Sequence, residues 1–192
     1  MHIVCFNGPP RSGKDTMAKL LIEHMESQGV SVPIIEVSLS TPLRRIAYAM
    51  TGYTGPIAGK EYEAFKVKWF PAFNRTGRQL MIDISESFMK PIYGQAIMAK
   101  MLLDFLGGFT GIVLVRDSGF QIEVQHFLTK VKEEKIYVAQ VGRANCDYTN
   151  DSREPVTHFF MGQYPNNGTL EDLAVEAGRL YGRLVNQMGW KL

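Results

Sequence analysis

A short apolar run, Ile3 to Phe6, leads directly into Gly8-Pro9-Pro10-Arg11-Ser12-Gly13-Lys14-Asp15-Thr16, and the chain then turns amphipathic, with Met17, Leu20, Leu21 and Met25 at helical spacing. This unit constrains the fold more than any other stretch. Its middle nearly spells G-x-x-x-x-G-K-[ST], and a preceding strand with a following helix is the context in which that pattern cradles phosphates. Backbone N–H groups of such a loop wrap the anion, and the helix points its positive end at it. Gly8, Arg11, Ser12, Gly13, Lys14, Asp15 and Thr16 are therefore the candidate nucleotide-binding residues. Lys14 neutralises the terminal phosphates, and Thr16 can bond an inner one. Asp15 stands where a hydroxyl residue usually ligates magnesium. Its carboxylate suits Mg2+, directly or through water, or else it is simply a favourable charge in a first helical turn.

The remaining chain alternates strand and helix signals. Ile34 to Val37 reads as a second strand, and Ser40-Thr41-Pro42 starts a helix with a capping hydroxyl ahead of a first-turn proline. Gly52 to Gly59 is a loop by composition, and helices are predicted over Glu61 to Trp69, Arg78 to Met89 and Tyr93 to Phe105, the last ended by Gly107-Gly108. Ile112 to Val115 is a third strand, and Phe120 to Val131 an amphipathic helix with Phe120, Val124, Phe127, Leu128 and Val131 inward. Strands over Ile136 to Val141 and His158 to Met161 flank a polar stretch from Gly142 to Pro155 that suits a mobile lid. Asn166-Asn167-Gly168 turns the chain, and Thr169-Leu170-Glu171-Asp172 caps a final helix. This order predicts an α/β fold: a parallel sheet with helices on both faces and ligands at the carboxyl ends of its strands.

A length of 192 residues predicts one domain spanning 1–192, with an inserted helical region over about 42–107 and a lid over about 142–155. The 45% hydrophobic and 21% charged fractions are ordinary for a globular chain, and a net charge of +2 does not announce nucleic acid. Cys5 and Cys146 lack metal-ligand spacing and read as free thiols. With no signal peptide and no apolar stretch long enough for a bilayer, the expected location is cytoplasmic, with no membrane partner.

Moving a phosphoryl group needs cations around it and exclusion of water. Arg11 lies in the loop, Arg143 opens the lid, Arg153 stands near its far end, and Arg44, Arg45, Arg75 and Arg78 occupy the inserted region. Lys14, Arg11, Asp117 and Arg143 are the catalytic candidates, and Arg44, Arg75, Arg78 and Glu86 those for the acceptor. Asp117, ending a buried strand, can hold metal-bound water, orient the acceptor, or cap the helix starting near Gly119. His126 sits among apolar neighbours and reads as structural. Lys66-Val67-Lys68-Trp69-Phe70 and Phe73-Asn74-Arg75 interleave cations with aromatics. Such a mix can stack a base, or be a helix with aromatics inward and lysines in water.

The chain resembles the deoxynucleoside monophosphate kinases of bacteriophages over most of its length. The resemblance rests on Arg11 to Thr16 with its aspartate, Pro42-Leu43, Arg78-Gln79-Leu80-Met81, Asp117, Val141-Gly142-Arg143, and Asn166 to Leu173. It implies a P-loop kinase fold, ATP with Mg2+ as donor, a deoxynucleotide acceptor, a homodimer, and the cytoplasm of an infected host cell. The departures lie on the acceptor side. Gly119 stands where the family tends to carry arginine, Ile82 and Ser85-Glu86 replace a glutamine and a Gly-Thr pair, and Ile97 lies near an expected tryptophan. These departures also fit the related phage kinases that phosphorylate 5-hydroxymethyluracil in DNA, where Asp117 or Glu86 would serve as base. A third reading is a nucleotide-binding sensor without catalysis.

Overall fold

The computed structural model describes residues 1–149, 151 and 153–191. Along the chain run β1 (His2–Asn7), α1 (Lys14–Ser27), β2 (Ile34–Val37), α2 (Thr41–Thr51), α3 (Gly59–Val67), β3 (Trp69–Phe70), β4 (Arg75–Thr76) and α4 (Gly77–Asp83). A π-helical turn over Ile84–Met89 leads into α5 (Lys90–Tyr93), followed by α6 (Ile97–Phe105), β5 (Ile112–Val115), α7 (Gln121–Phe127), β6 (Ile136–Gly142), β7 (Met161–Pro165) and α8 (Leu170–Gly182). The chain packs as two compact units, one of Met1–Leu39 with Leu102–Leu192 and one of Ser40–Met101.

In the larger unit the strand order is β2-β5-β1-β6-β7, every pairing parallel. From β1 the chain crosses through α1 toward β2, and from β5 through α7 in the opposite direction to β6. Right-handed crossovers of opposite direction put α1 and α7 on opposite faces of the sheet. Val4, Phe6, Ile112, Leu114, Tyr137, Ala139 and Val141 meet Met17, Leu21 and Met25 of α1 and Leu173, Ala177 and Leu180 of α8 in one core. Ile3, Cys5, Val113, Val115 and Val138, the alternate positions, are fully buried as well. A strand wet on neither face has to be apolar throughout, which is why these segments read as continuous runs. The strand order reverses direction at β1, so the loop after β1 stands at the switch point where such sheets bind ligands.

The smaller unit is built around an aromatic cluster. Tyr48 packs on Tyr53 and Phe65, and Phe65 on Phe70, with ring centroids 4.4 to 5.3 Å apart. Gly77 is required by close approach, since a Cβ there would overlap the Phe65 carbonyl and ring.

Several boundaries differ from the sequence reading. Helix α3 stops at Val67, and Trp69–Phe70 pairs antiparallel with Arg75–Thr76 as a short hairpin. The helix expected over Arg78 to Met89 continues to Tyr93, through Pro91. A widened π-helical turn directly precedes that proline, whose ring crowds the turn before it and removes one backbone donor. Gly94, at φ 92°, ends this helix, and the next begins at Ile97 rather than Tyr93. Ser40 does not cap α2: its hydroxyl accepts from Arg44 Nε and Nη2 at 3.1 and 2.8 Å. Helix α7 ends at Phe127, its last turn tightening into Thr129 N to His126 O and Lys130 N to Phe127 O bonds, and Leu128 is exposed. The last strand is Met161–Pro165, not His158 to Met161. Register with β6 decides it, and Pro165 is tolerated because β7 is an edge strand. Thr169 caps α8 as expected, in a reciprocal box with Asp172.

Candidate functional site

The loop after β1 owes its shape to three residues with positive φ: Gly8 at 153°, Arg11 at 64° and Gly13 at 99°. A Cβ at Gly8 would overlap the Val141 carbonyl, and one at Gly13 would overlap the Asn166 amide nitrogen. That same Asn166 Nδ2 donates to Ser12 O at 2.9 Å, bracing the loop from the turn before α8. No side chain caps the N-terminus of α1, so its first-turn N–H groups have no side-chain acceptor at the cap. Lys14 is 8% exposed, and its ammonium donates to Gly8 O and Pro9 O, each at 2.7 Å, and to Ser12 Oγ at 3.4 Å. An incoming phosphate would take over those donors. Burial first, and then the charge of Arg153, push Lys14 down to about 8 against the opposing pull of Asp15, Asp117 and Asp151.

Asp117 lies at the carboxyl end of β5, and both its oxygens are engaged. Oδ2 accepts from Ser38 Oγ at 2.6 Å and Oδ1 from Leu39 N at 2.7 Å. It therefore ties β5 to the end of β2, and the cap expected of it belongs to Glu123, which accepts from Gly119 N and Phe120 N. Asp15 is exposed, with Arg116 Nη1 3.8 Å from its carboxylate. Arg116 Nε in turn lies 3.3 Å from Glu36, close enough for an ion pair though not aligned for a hydrogen bond. Thr16 is exposed in the first turn of α1, and Arg11 is exposed in the loop. Among the described residues no three His, Cys, Asp or Glu side chains gather as metal ligands. A divalent ion held here would have Asp15 as its protein carboxylate and would need its other ligands from phosphates and water.

Asn7, 1% exposed at the end of β1, joins the loop to the polar segment after β6. Its Nδ2 donates to Ser118 O and Glu154 O at 2.9 and 3.0 Å, and its Oδ1 accepts from Tyr148 OH and Val156 N, both at 3.1 Å. All four valences of the amide are used. Gln140 Nε2 to Val156 O and Glu154 N to Gly119 O add further ties. The described part of the expected lid is thus stitched to the strand ends; residues 150 and 152 of that range lie outside the described residues. Arg143 sits exposed on the turn after β6. Arg153 is drawn inward, its stem lying over Gly119 and its guanidinium gripping Asp151. The signal available was Gly119 itself, a missing side chain that another residue fills. A groove of about 1000 Å³ opens beside the loop, walled in part by Gly8, Pro9, Gln140, Tyr148, Gln163 and Asn167, a size that accepts a nucleotide.

The acceptor-side candidates all fall in Ser40–Met101. Arg44 stacks 4.2 Å from the Tyr62 ring and donates to Ile57 O, Arg75 pairs with Asp83 at 2.8 Å, and Glu86 with the buried Lys90 at 2.6 Å. Arg78 is half-buried in α4. In the basic aromatic stretch Phe70 turns inward while Trp69 and Phe73 stay exposed, so neither of its two sequence readings describes the whole stretch.

No family model and no curated protein matches the chain. Among solved structures, Chaetomium thermophilum Kti12 in complex with ADP-AlF3 is similar to it, with a TM-score of 0.51 over 95% of this chain and 98% of that one at 12% identity. Likeness at that identity is one of fold. The five-stranded parallel sheet flanked by helices, with the glycine loop at its switch point, is a P-loop kinase-like α/β architecture.

Proposed function

We propose that the protein is an ATP-dependent phosphotransferase acting on a deoxynucleotide, foremost a deoxynucleoside monophosphate. The observation that carries this reading is the buried Lys14 ammonium, held inside a loop of strained backbone at an uncapped helix start. Its partners there are carbonyls that a phosphate can replace. The fold neighbour is a complex with ADP-AlF3, which supports nucleotide binding by this fold. Asp15 would hold magnesium, which supplies charge neutralisation across the donor phosphates. Lys14 and the loop amides bind and orient the donor, and Asn7 fixes the strand ends around it. Arg44, Arg75, Arg78 and Glu86 are the residues proposed to meet the acceptor.

A second reading, a kinase of the hydroxymethyl group of 5-hydroxymethyluracil in DNA, is favoured by one feature. Trp69 and Phe73 remain exposed in the stretch that also carries Lys66 and Lys68, and exposed rings near cations in sequence can stack bases. Transfer of label from γ-labelled ATP to a panel of deoxynucleoside monophosphates and to hydroxymethylated DNA decides between them. Label in monophosphates, abolished by Lys14→Ala, supports the first reading; label in DNA alone overturns it for the second. Binding of ATP without transfer to any acceptor would make the protein a nucleotide sensor.

A further inference from the structure

We infer that Arg153, seated on Gly119 and clamped by Asp151, is the cation that contacts the γ-phosphoryl group of the donor. This rests on the phosphotransferase reading. Gly119 does not have the positive φ that demands glycine, so its reason is space. A Cβ there would lie 2.9 Å from Arg153 Cβ and overlap Cγ and Cδ. The arginine stem thus occupies the room directly after the strand-end Asp117-Ser118. Its guanidinium is held by one edge, Nε to Asp151 Oδ1 at 2.9 Å and Nη2 to Oδ2 at 2.6 Å. The Asp151 side chain is only 3% exposed. A carboxylate that deep is stable only when paired, so the pair fixes the direction of the guanidinium.

Among the described residues the Nη1 amino group has no hydrogen-bond partner. The charge of Arg153 helps push Lys14 down, and that of Asp117 helps push Arg153 up. The backbone on either side is pinned by Glu154 N to Gly119 O at 2.9 Å and by both ends of the Asn7 amide. A cation with a fixed edge and an unused one, seated over Gly119 two residues past Asp117, is organised before any ligand arrives. That is the arrangement in which a hydrogen-bond donor contributes most to a developing charge. In the transfer, the bond from the γ-phosphorus to the β–γ bridging oxygen breaks, its electron pair leaving with ADP. A terminal oxygen of the acceptor phosphate forms the new bond. Arg153 donates to a non-bridging γ-oxygen and neither gains nor loses a proton.

The competing account is a purely structural ion pair. Arg153→Met alone would remove the cation that balances the buried Asp151 carboxylate, so the test uses the double variant D151N/R153M, which keeps the stem and removes both charges, alongside R153K. Affinities for ADP and for the β,γ-imido analogue of ATP are measured by calorimetry, with kcat and KM on the best acceptor and a thermal midpoint for each variant. The expected result is a drop of about tenfold in the preference for the analogue over ADP, with ADP affinity little changed, and a fall in kcat of about 10²-fold or more. R153K, a point charge without the fork, recovers only part of this. A folded double variant whose preference and kcat match the wild type overturns the inference and leaves the phosphotransferase reading standing. A wild-type protein that binds neither nucleotide overturns both.

Discussion

At Gly13 a single methyl group separates a working loop from a broken one. The residue sits at φ 99°, and its missing Cβ leaves room for the Asn166 amide that braces Ser12. Gly13→Ala is expected to cost about 1–3 kcal/mol by urea denaturation and to abolish ATP binding. Gly29→Ala, at φ 74° but with open space around it, should cost only about 1 kcal/mol and leave binding intact. Asn7 is a harsher case. Asn7→Ala strands the carbonyls of Ser118 and Glu154 and the Val156 N–H, and is expected to destabilise by about 2–4 kcal/mol. Limited proteolysis should then cut faster between 148 and 157; an unchanged digestion pattern would contradict its role as the tie. In the sequence Asn7 is only the residue between the apolar run and the glycine loop. Its side-chain partners lie 111 to 149 residues away, beyond anything periodicity reports.

Elements were legible wherever the local signal and the tertiary demand coincide. β1, α1, β2 and β5 fall where apolar runs and helical spacing put them, and the Thr169 box starts α8 as read. Thr169→Ala should therefore cost about 1 kcal/mol. Elements set by partners were not legible: the Trp69–Phe70 and Arg75–Thr76 hairpin, and β7, whose Gly162 and Pro165 carry poor strand propensity. β1 also carries a pH dependence. Burial, then the charges of the N-terminal amino group and Lys135, push His2 down to about 4, with its ring 4.4 Å from that of Trp190. The unfolded chain binds this proton near the ordinary value of 6.5, so between 6.5 and 4 it holds more protons than the native state. Stability is therefore expected to fall as pH drops through that window. His2→Gln should flatten the slope in denaturation series at pH 7, 5.5 and 4.5, and an unchanged slope would remove His2 as its source.

For the whole molecule, the cysteines give a direct measure of opening. Cys5 lies in β1, paired on both sides by β5 and β6, fully buried and pushed up to about 12 by burial. Cys146 is half-buried in the segment after β6. A thiol reagent should label one site quickly in the native protein, Cys146, and reach Cys5 only at the rate set by global unfolding. Fast labelling of both would mean the central strand opens locally. No helix among the described residues is long and apolar enough to cross a membrane. By itself the sequence determined the strand, the glycine loop and the helix after it, because spacing, glycine conformations and the helix start are local properties. Only the tertiary structure decided which side chains meet at the strand ends. Sheet order and register bring Asn7, Gly119, Asp151 and Arg153 together from distant parts of the chain, and a glycine's significance there depends on what another segment places in its empty space.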